Sequence, residues 1–228
     1  MSRNAARLKI TVASVLLVIG GLAQANLIIG GPAPGENSFP FGGKGSAALG
    51  ANSRYQQVYD DAAFGGPINI GEIDFFLSSP GNTGIGTFTM SLSHSRNTVD
   101  HLDASNFANN IGSDNALFAV LVLTGAAAPA TLKIVGNNFN YDGVGDLLLD
   151  IQVSGFQRTA NSAFFLSNNG NAGGRFSRSH NFGFSSTGSG LITGFKTTGA
   201  GTLPEPSALA LVGIAMAGLA LMRRRVAV

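Results

Sequence analysis

Between residues 55 and 196 the apolar positions fall in short, regularly spaced runs, two of which alternate with polar residues at a period of two. Phe88, Met90 and Leu92 interleave with Thr89, Ser91 and Ser93. Leu147, Leu149, Ile151 and Val153 interleave with Leu148, Asp150, Gln152 and Ser154. Side chains on a strand point alternately to its two faces, so each run predicts a strand with one apolar and one wetter face. Strands are predicted at 55–59, 68–77, 85–93, 117–123, 131–135, 147–153, 163–166 and 191–196, with Gly, Asn, Ser and Thr crowding the gaps. This pattern predicts an all-β chain whose residues 54–196 form a single antiparallel β-sandwich. Residues 99–112 hold too many polar residues and breakers for a strand and predict a long crossover with a helical turn. Residues 26–53, rich in Gly, Pro and Asn, predict an N-terminal arm, and 197–202 a small-residue spacer.

The two ends differ from this middle. Arg3, Arg7 and Lys9 precede an apolar stretch over 10–22, and Ala23-Gln24-Ala25 follows as a small-x-small site. That order predicts a secretory signal peptide over 1–25, cut by signal peptidase after Ala25, so that the mature chain begins at Asn26. At the other end, 207–222 carries no charge and predicts a transmembrane helix. Its 16 residues reach about 24 Å, short of the roughly 30 Å hydrocarbon core, so spanning requires bilayer thinning or snorkelling. Arg223, Arg224 and Arg225 place that end in the cytoplasm and the bulk of the chain outside. Pro204 and Pro206 keep the junction extended, in a form that a processing enzyme can grip.

Pro204-Glu205-Pro206, a short helix rich in Gly, Ala and Leu, and a terminal Arg cluster together resemble the PEP-CTERM sorting signal of Gram-negative bacteria. The resemblance covers residues 203–225. It implies export through the Sec machinery, a precursor held in the inner membrane, and cleavage near Pro204-Glu205-Pro206 by an exosortase. It also implies delivery to the cell surface or extracellular matrix, often in species that make exopolysaccharide, which makes exopolysaccharide a candidate partner. Pro204, Glu205 and Pro206 would then be recognition residues, and Arg223 to Arg225 would hold the tail's orientation. A second likeness lies inside the domain. Arg54-Tyr55-Gln56-Gln57-Val58-Tyr59, Ile70-Gly71-Glu72-Ile73-Asp74-Phe75, Phe139-Asn140-Tyr141-Asp142 and Asp146-Leu147-Leu148-Leu149-Asp150-Ile151 resemble the β-sandwich ectodomain common among PEP-CTERM proteins. That likeness implies a jelly-roll-like fold and no particular activity.

Export changes the meaning of the net charge of +2 and the basic pI of about 9.2. Three of the fourteen basic residues lie in the signal and three in the tail, leaving eight against eleven acidic residues over 26–203, a net charge of −3. A mildly acidic domain has no electrostatic footprint for nucleic acid. The chain has no cysteine, so stability in an oxidising compartment must come from the core.

Candidate chemistry is sparse. His94 with Ser93 and Asp100 makes a hydrolytic triad only on paper, because neighbours on one strand point to opposite faces and no Gly-x-Ser-x-Gly elbow exists. No His-Glu-x-x-His zinc motif is present, and Glu36 and Glu72, the only glutamates over 26–203, suggest no glycosidase pair. Asp60, Asp61, Asp142 and Asp146 are hard oxygen donors of the kind that holds a structural calcium, but without EF-hand spacing solvated turn aspartates are the default. Asp142-Gly143 is expected to make a turn after Phe139 and Tyr141, which close the end of the sandwich. Tyr55, Tyr59 and Tyr141 with many Asn side chains offer a sugar surface, although no tryptophan is present. The stretch 168–190, with Phe176, Phe182 and Phe184 among Arg175, Arg178 and His180, predicts long loops with aromatic pins, or a partner-binding edge. The reading is a non-enzymatic exported protein without a cofactor; the alternatives are a carbohydrate-binding or adhesive module and a secreted hydrolase.

Overall fold

A computed structural model describes residues 26–31, 35–44, 52–168, 175–180, 184–186 and 188–197. The expected signal peptide with Ala23 and Ala25, the Pro204-Glu205-Pro206 motif, the membrane segment and Arg223 to Arg225 lie outside these residues.

Among the described residues all regular structure is strand, apart from two short 3-10 turns. The strands are β1 (Asn26–Ile29), β2 (Gly35–Asn37), β3 (Ser53–Tyr59), β4 (Ile68–Ser79), β5 (Ile85–His94) and β6 (Ala116–Thr124). They continue with β7 (Thr131–Tyr141), β8 (Leu147–Gln157), β9 (Phe164–Asn168), β10 (Phe176–His180), β11 (Phe184–Ser186), β12 (Gly190–Leu191) and β13 (Thr193–Thr197). One sheet has the order β1-β13-β4-β9-β12, with β7 beside β4 and β2 beside β9. The other has the order β11-β10-β3-β8-β5-β6. Every strand pairing is antiparallel. The two sheets enclose one core in which Tyr55, Phe88, Met90, Leu149 and Ile151 of one face Ile73, Phe75, Phe165 and Phe195 of the other. Each of these nine side chains has essentially no exposed surface. Burial of this apolar area supplies the main force holding the sheets together.

The alternation in β5 and β8 has the predicted sense, with Phe88, Met90, Leu92 and the odd positions of 147–153 all inward. The opposite face is not wet throughout: Ser91, Ser93, Leu148 and Asp150 are also buried. The cause is residues 95–115. Because β5 and β6 are adjacent in one sheet, this segment does not cross between the sheets. It leaves one strand, lies over the outer face and returns to its neighbour. Leu102 packs there with Val58 and Leu148, flanked by Val99 and Ile111, and the expected helical turn is Phe107–Asn110.

Residues 26–53 do more than an arm would. β1 pairs with β13, β2 pairs with β9, and Phe41 is fully buried against Phe75, Phe88 and Phe165. Asn26–Ile29 and Gly35–Asn37 are short and separated by Gly and Pro, so no run long enough to show a period exists there. Within 168–190, expected as loops, β10 pairs with β3 and β11 with β10. Strand β7 runs on past the predicted end at 135 to Tyr141. Where β6 and β7 meet at the sandwich edge, a Cβ on Gly136 would lie 2.5 Å from the Phe118 carbonyl oxygen, so the close approach requires glycine.

Candidate functional site

Pairing of β1 with β13 sets Asn26 opposite Lys196. Both segments expected to carry targeting information therefore join the domain at one end of one strand pair. Lys196 sits over neighbouring β4, where its Nζ lies 2.8 Å from Asp74 Oδ2 and also contacts Glu72 Oε1. Hydrogen bonds to Asp74 and Glu72 raise the Lys196 pKa, and the bond from Lys196 lowers that of Glu72. The last strand before the tail is thus tied down by an ion triad.

The second feature is a carboxylate cluster at the end of β5. His94 Nδ1 lies 2.6 Å from Asp114 Oδ2, and His94 Nε2 lies 2.9 Å from Asp142 Oδ1. An imidazole can donate to two carboxylates only when both nitrogens are protonated. Partial burial lowers the His94 pKa, but the bonds and charges of Asp142 and Asp114 outweigh it and the net shift is upward. The paper triad is not assembled. Ser93 Oγ accepts from the Gly112 amide, and Asp100 accepts from the Gly188 amide, away from His94. His94 has Asp114 as its partner instead, a residue twenty positions downstream that no local spacing marks.

Asp60, Asp61, Asp142 and Asp146 do come to one end of the sandwich, where one oxygen of each carboxylate accepts from a loop amide. Asp60 Oδ1 accepts from Ala62 at 2.8 Å, Asp61 Oδ2 from Gly145 at 3.0 Å, Asp146 Oδ2 from Val99 at 2.9 Å and Asp142 Oδ1 from Val144 at 2.9 Å. No group of three or more potential metal ligands forms among the described residues. The turn after Tyr141 is as expected, with Gly143 at φ +79° and Gly145 at φ +75°. Burial and the carboxylates of Asp61, Asp146, Asp142 and Asp60 push the Tyr141 hydroxyl well above its ordinary value, and it donates to the Gly145 carbonyl at 2.5 Å.

The tyrosines offer no sugar platform. Tyr55, Tyr59 and Tyr141 are all buried. They lie in an aromatic cluster with Phe39, Phe64, Phe176 and Phe195. Their rings fill the space between sheets, which explains why no exposed stacking surface is left for them to make.

A polar network clamps the overlying segment to the sheet. Arg54 donates from Nε and Nη2 to the two oxygens of Asp150, both at 2.7 Å, and its guanidinium lies 5.7 Å from the Phe107 ring centre. Gln56 donates to Asp150 and to the Phe107 carbonyl, each at 3.1 Å, and accepts from Asn110 at 2.7 Å. Asn110 in turn accepts from Asn97 and from the Asp103 amide. Sequence reasoning missed this network, whose signal is two polar pairs, Arg54 with Gln152 and Gln56 with Asp150, standing opposite one another on β3 and β8.

Compared with known proteins, residues 202–225 match the model of the PEP-CTERM protein-sorting motif. No curated protein and no solved structure gives a significant match to the chain.

Proposed function

We propose that this chain is an exosortase substrate: exported by its signal peptide, held in the inner membrane by 207–222, and cut near Pro204-Glu205-Pro206. The β-sandwich is then delivered to the cell surface or extracellular matrix, where it acts without catalysis. The observation that carries the reading is the sorting motif over residues 202–225. The placement of Asn26 beside Lys196 supports it, because the chain then enters and leaves the folded domain toward its two processing junctions from one end of one strand pair. A non-catalytic role is supported by the engagement of both His94 nitrogens by carboxylates, which leaves neither to take a proton from a nucleophile. A jelly-roll-like topology is supported by the many connections that pass from one sheet to the other.

Intact mass of the protein recovered from the surface and medium of its own host tests the reading. A chain from Asn26 to near Pro204 is expected. Retention of 207–228 would mean permanent anchoring and would overturn processing by a sorting enzyme.

A further inference from the structure

Phe176, Arg178 and His180 of β10 stand opposite Tyr59, Gln57 and Tyr55 of β3. Tyr55 and Tyr59 belong to the core, so the Arg178 side chain also enters the space between the two sheets. Its Nε and Nη1 are buried and have no hydrogen-bond partner among the described residues. Arginine does not deprotonate, and a buried charge left uncompensated costs several kcal/mol. The neighbours do not answer it. Gln57 Oε1 already accepts from the Leu191 amide at 2.8 Å and from the Tyr55 hydroxyl, while Gln57 Nε2 donates to the Leu191 carbonyl at 2.8 Å. Burial pushes the Tyr55 hydroxyl up to about 12, and burial with the Arg178 charge lowers His180 to about 4, so both are neutral near pH 7. Among the described residues no carboxylate pairs with Arg178.

We propose that Arg178, at the β10 end of the gap between the sheets, anchors a binding site for an oxyanion, with the carboxylate of a small acidic ligand as the group that fits. A carboxylate is planar, matches the guanidinium fork with two oxygens and carries one charge against one. The half-buried side chain leaves an approach from solvent. Gly190 keeps the opposite wall close, since a Cβ there would meet Gln57 Oε1 at 2.6 Å and the Phe176 ring at 2.7 Å.

The test is thermal denaturation of the full-length chain in detergent, titrated with sodium acetate and sodium glucuronate against sodium chloride and glucose at matched ionic strength. A saturable rise in Tm with the carboxylates, beyond the chloride control and lost in Arg178→Gln, is expected. A larger response to glucuronate identifies a sugar acid as the source, and an equal response a simple carboxylate; both support the site. Absence of any response beyond chloride, or a response that Arg178→Gln retains, overturns it. Should the variant fail to fold, the unaltered chain decides by NMR. A saturable shift of the Arg178 side-chain Hε resonance supports the site, and an unmoved resonance sinks it. Neither readout depends on cleavage at Pro204-Glu205-Pro206.

Discussion

Asn26 stands in register with Lys196, so the first strand of the domain closes against its last. The contact is secured on the inner side by Ile29, which is 1% exposed and packs in the main core. Ile29→Ala removes a buried side chain from a short edge strand that has few other holds, and a loss of about 2–4 kcal/mol is expected. Urea denaturation followed by far-UV circular dichroism measures it. A loss below about 0.5 kcal/mol would mean that β1 is not docked in solution.

The Arg54–Asp150 pair predicts a larger effect than a surface ion pair. Asp150 is 1% exposed and receives two bonds from Arg54 and one from Gln56. Asp150→Ala removes the buried carboxylate that Arg54 and Gln56 share, which costs about 3 kcal/mol, at the low end for buried pairs because the Arg54 side chain keeps 23% exposure and Gln56 keeps its bond to the Phe107 carbonyl. Replacing both residues at once, Arg54→Met with Asp150→Leu, is expected to recover more than half of that loss. Equal destabilisation in the single and double variants would contradict the account.

What the sequence shows and what it hides follow from how local each signal is. Phe88, Met90 and Leu92 reveal β5 because their partners in period are polar. In β10 the order Phe176-Ser177-Arg178-Ser179-His180 is polar on both faces, so its alternation carries no contrast and a loop is the natural reading. Leu148 and Asp150 look like solvent-facing positions because nothing nearby in sequence announces that residues 95–115 fold over them. The carboxylates on His94 come from positions 114 and 142, brought together by pairing of β5 with β6 and β8, and no motif links them. The sorting motif is contiguous, and is read from its residues directly.

Strand β6 ends the six-stranded sheet and contains no charged residue and no proline. Val120 is 55% and Val122 64% exposed, so beyond Phe118, where β7 closes on the strand, the edge lacks charge and proline as guards against pairing with another chain. Val122→Lys is expected to leave Tm within about 2 °C, since a surface substitution costs within about 0.5 kcal/mol, and to slow concentration-dependent aggregation on heating. Light scattering at two protein concentrations checks this; unchanged aggregation would place the vulnerable edge elsewhere.

The bridge from His94 to Asp114 and Asp142 ties residues 95–115 and the β7–β8 turn to the end of β5, and it is pH-dependent with a definite sign. The groups facing the imidazole are those two carboxylates and the rings of Phe139 and Tyr141. Its pKa in the folded chain is raised above the ordinary 6.5, so the folded state binds the proton more tightly than the unfolded state does. The resulting stabilisation is fully present below about pH 6.5 and is lost as pH rises through the higher folded value. Asp142, whose pKa is lowered by the Val144 amide and by His94, stays ionised across this range and keeps the counter-charge in place. The Tm advantage of the native chain over His94→Gln should therefore be largest near pH 6 and shrink steadily toward pH 9. An advantage independent of pH would show that His94 acts through packing on Tyr141 alone.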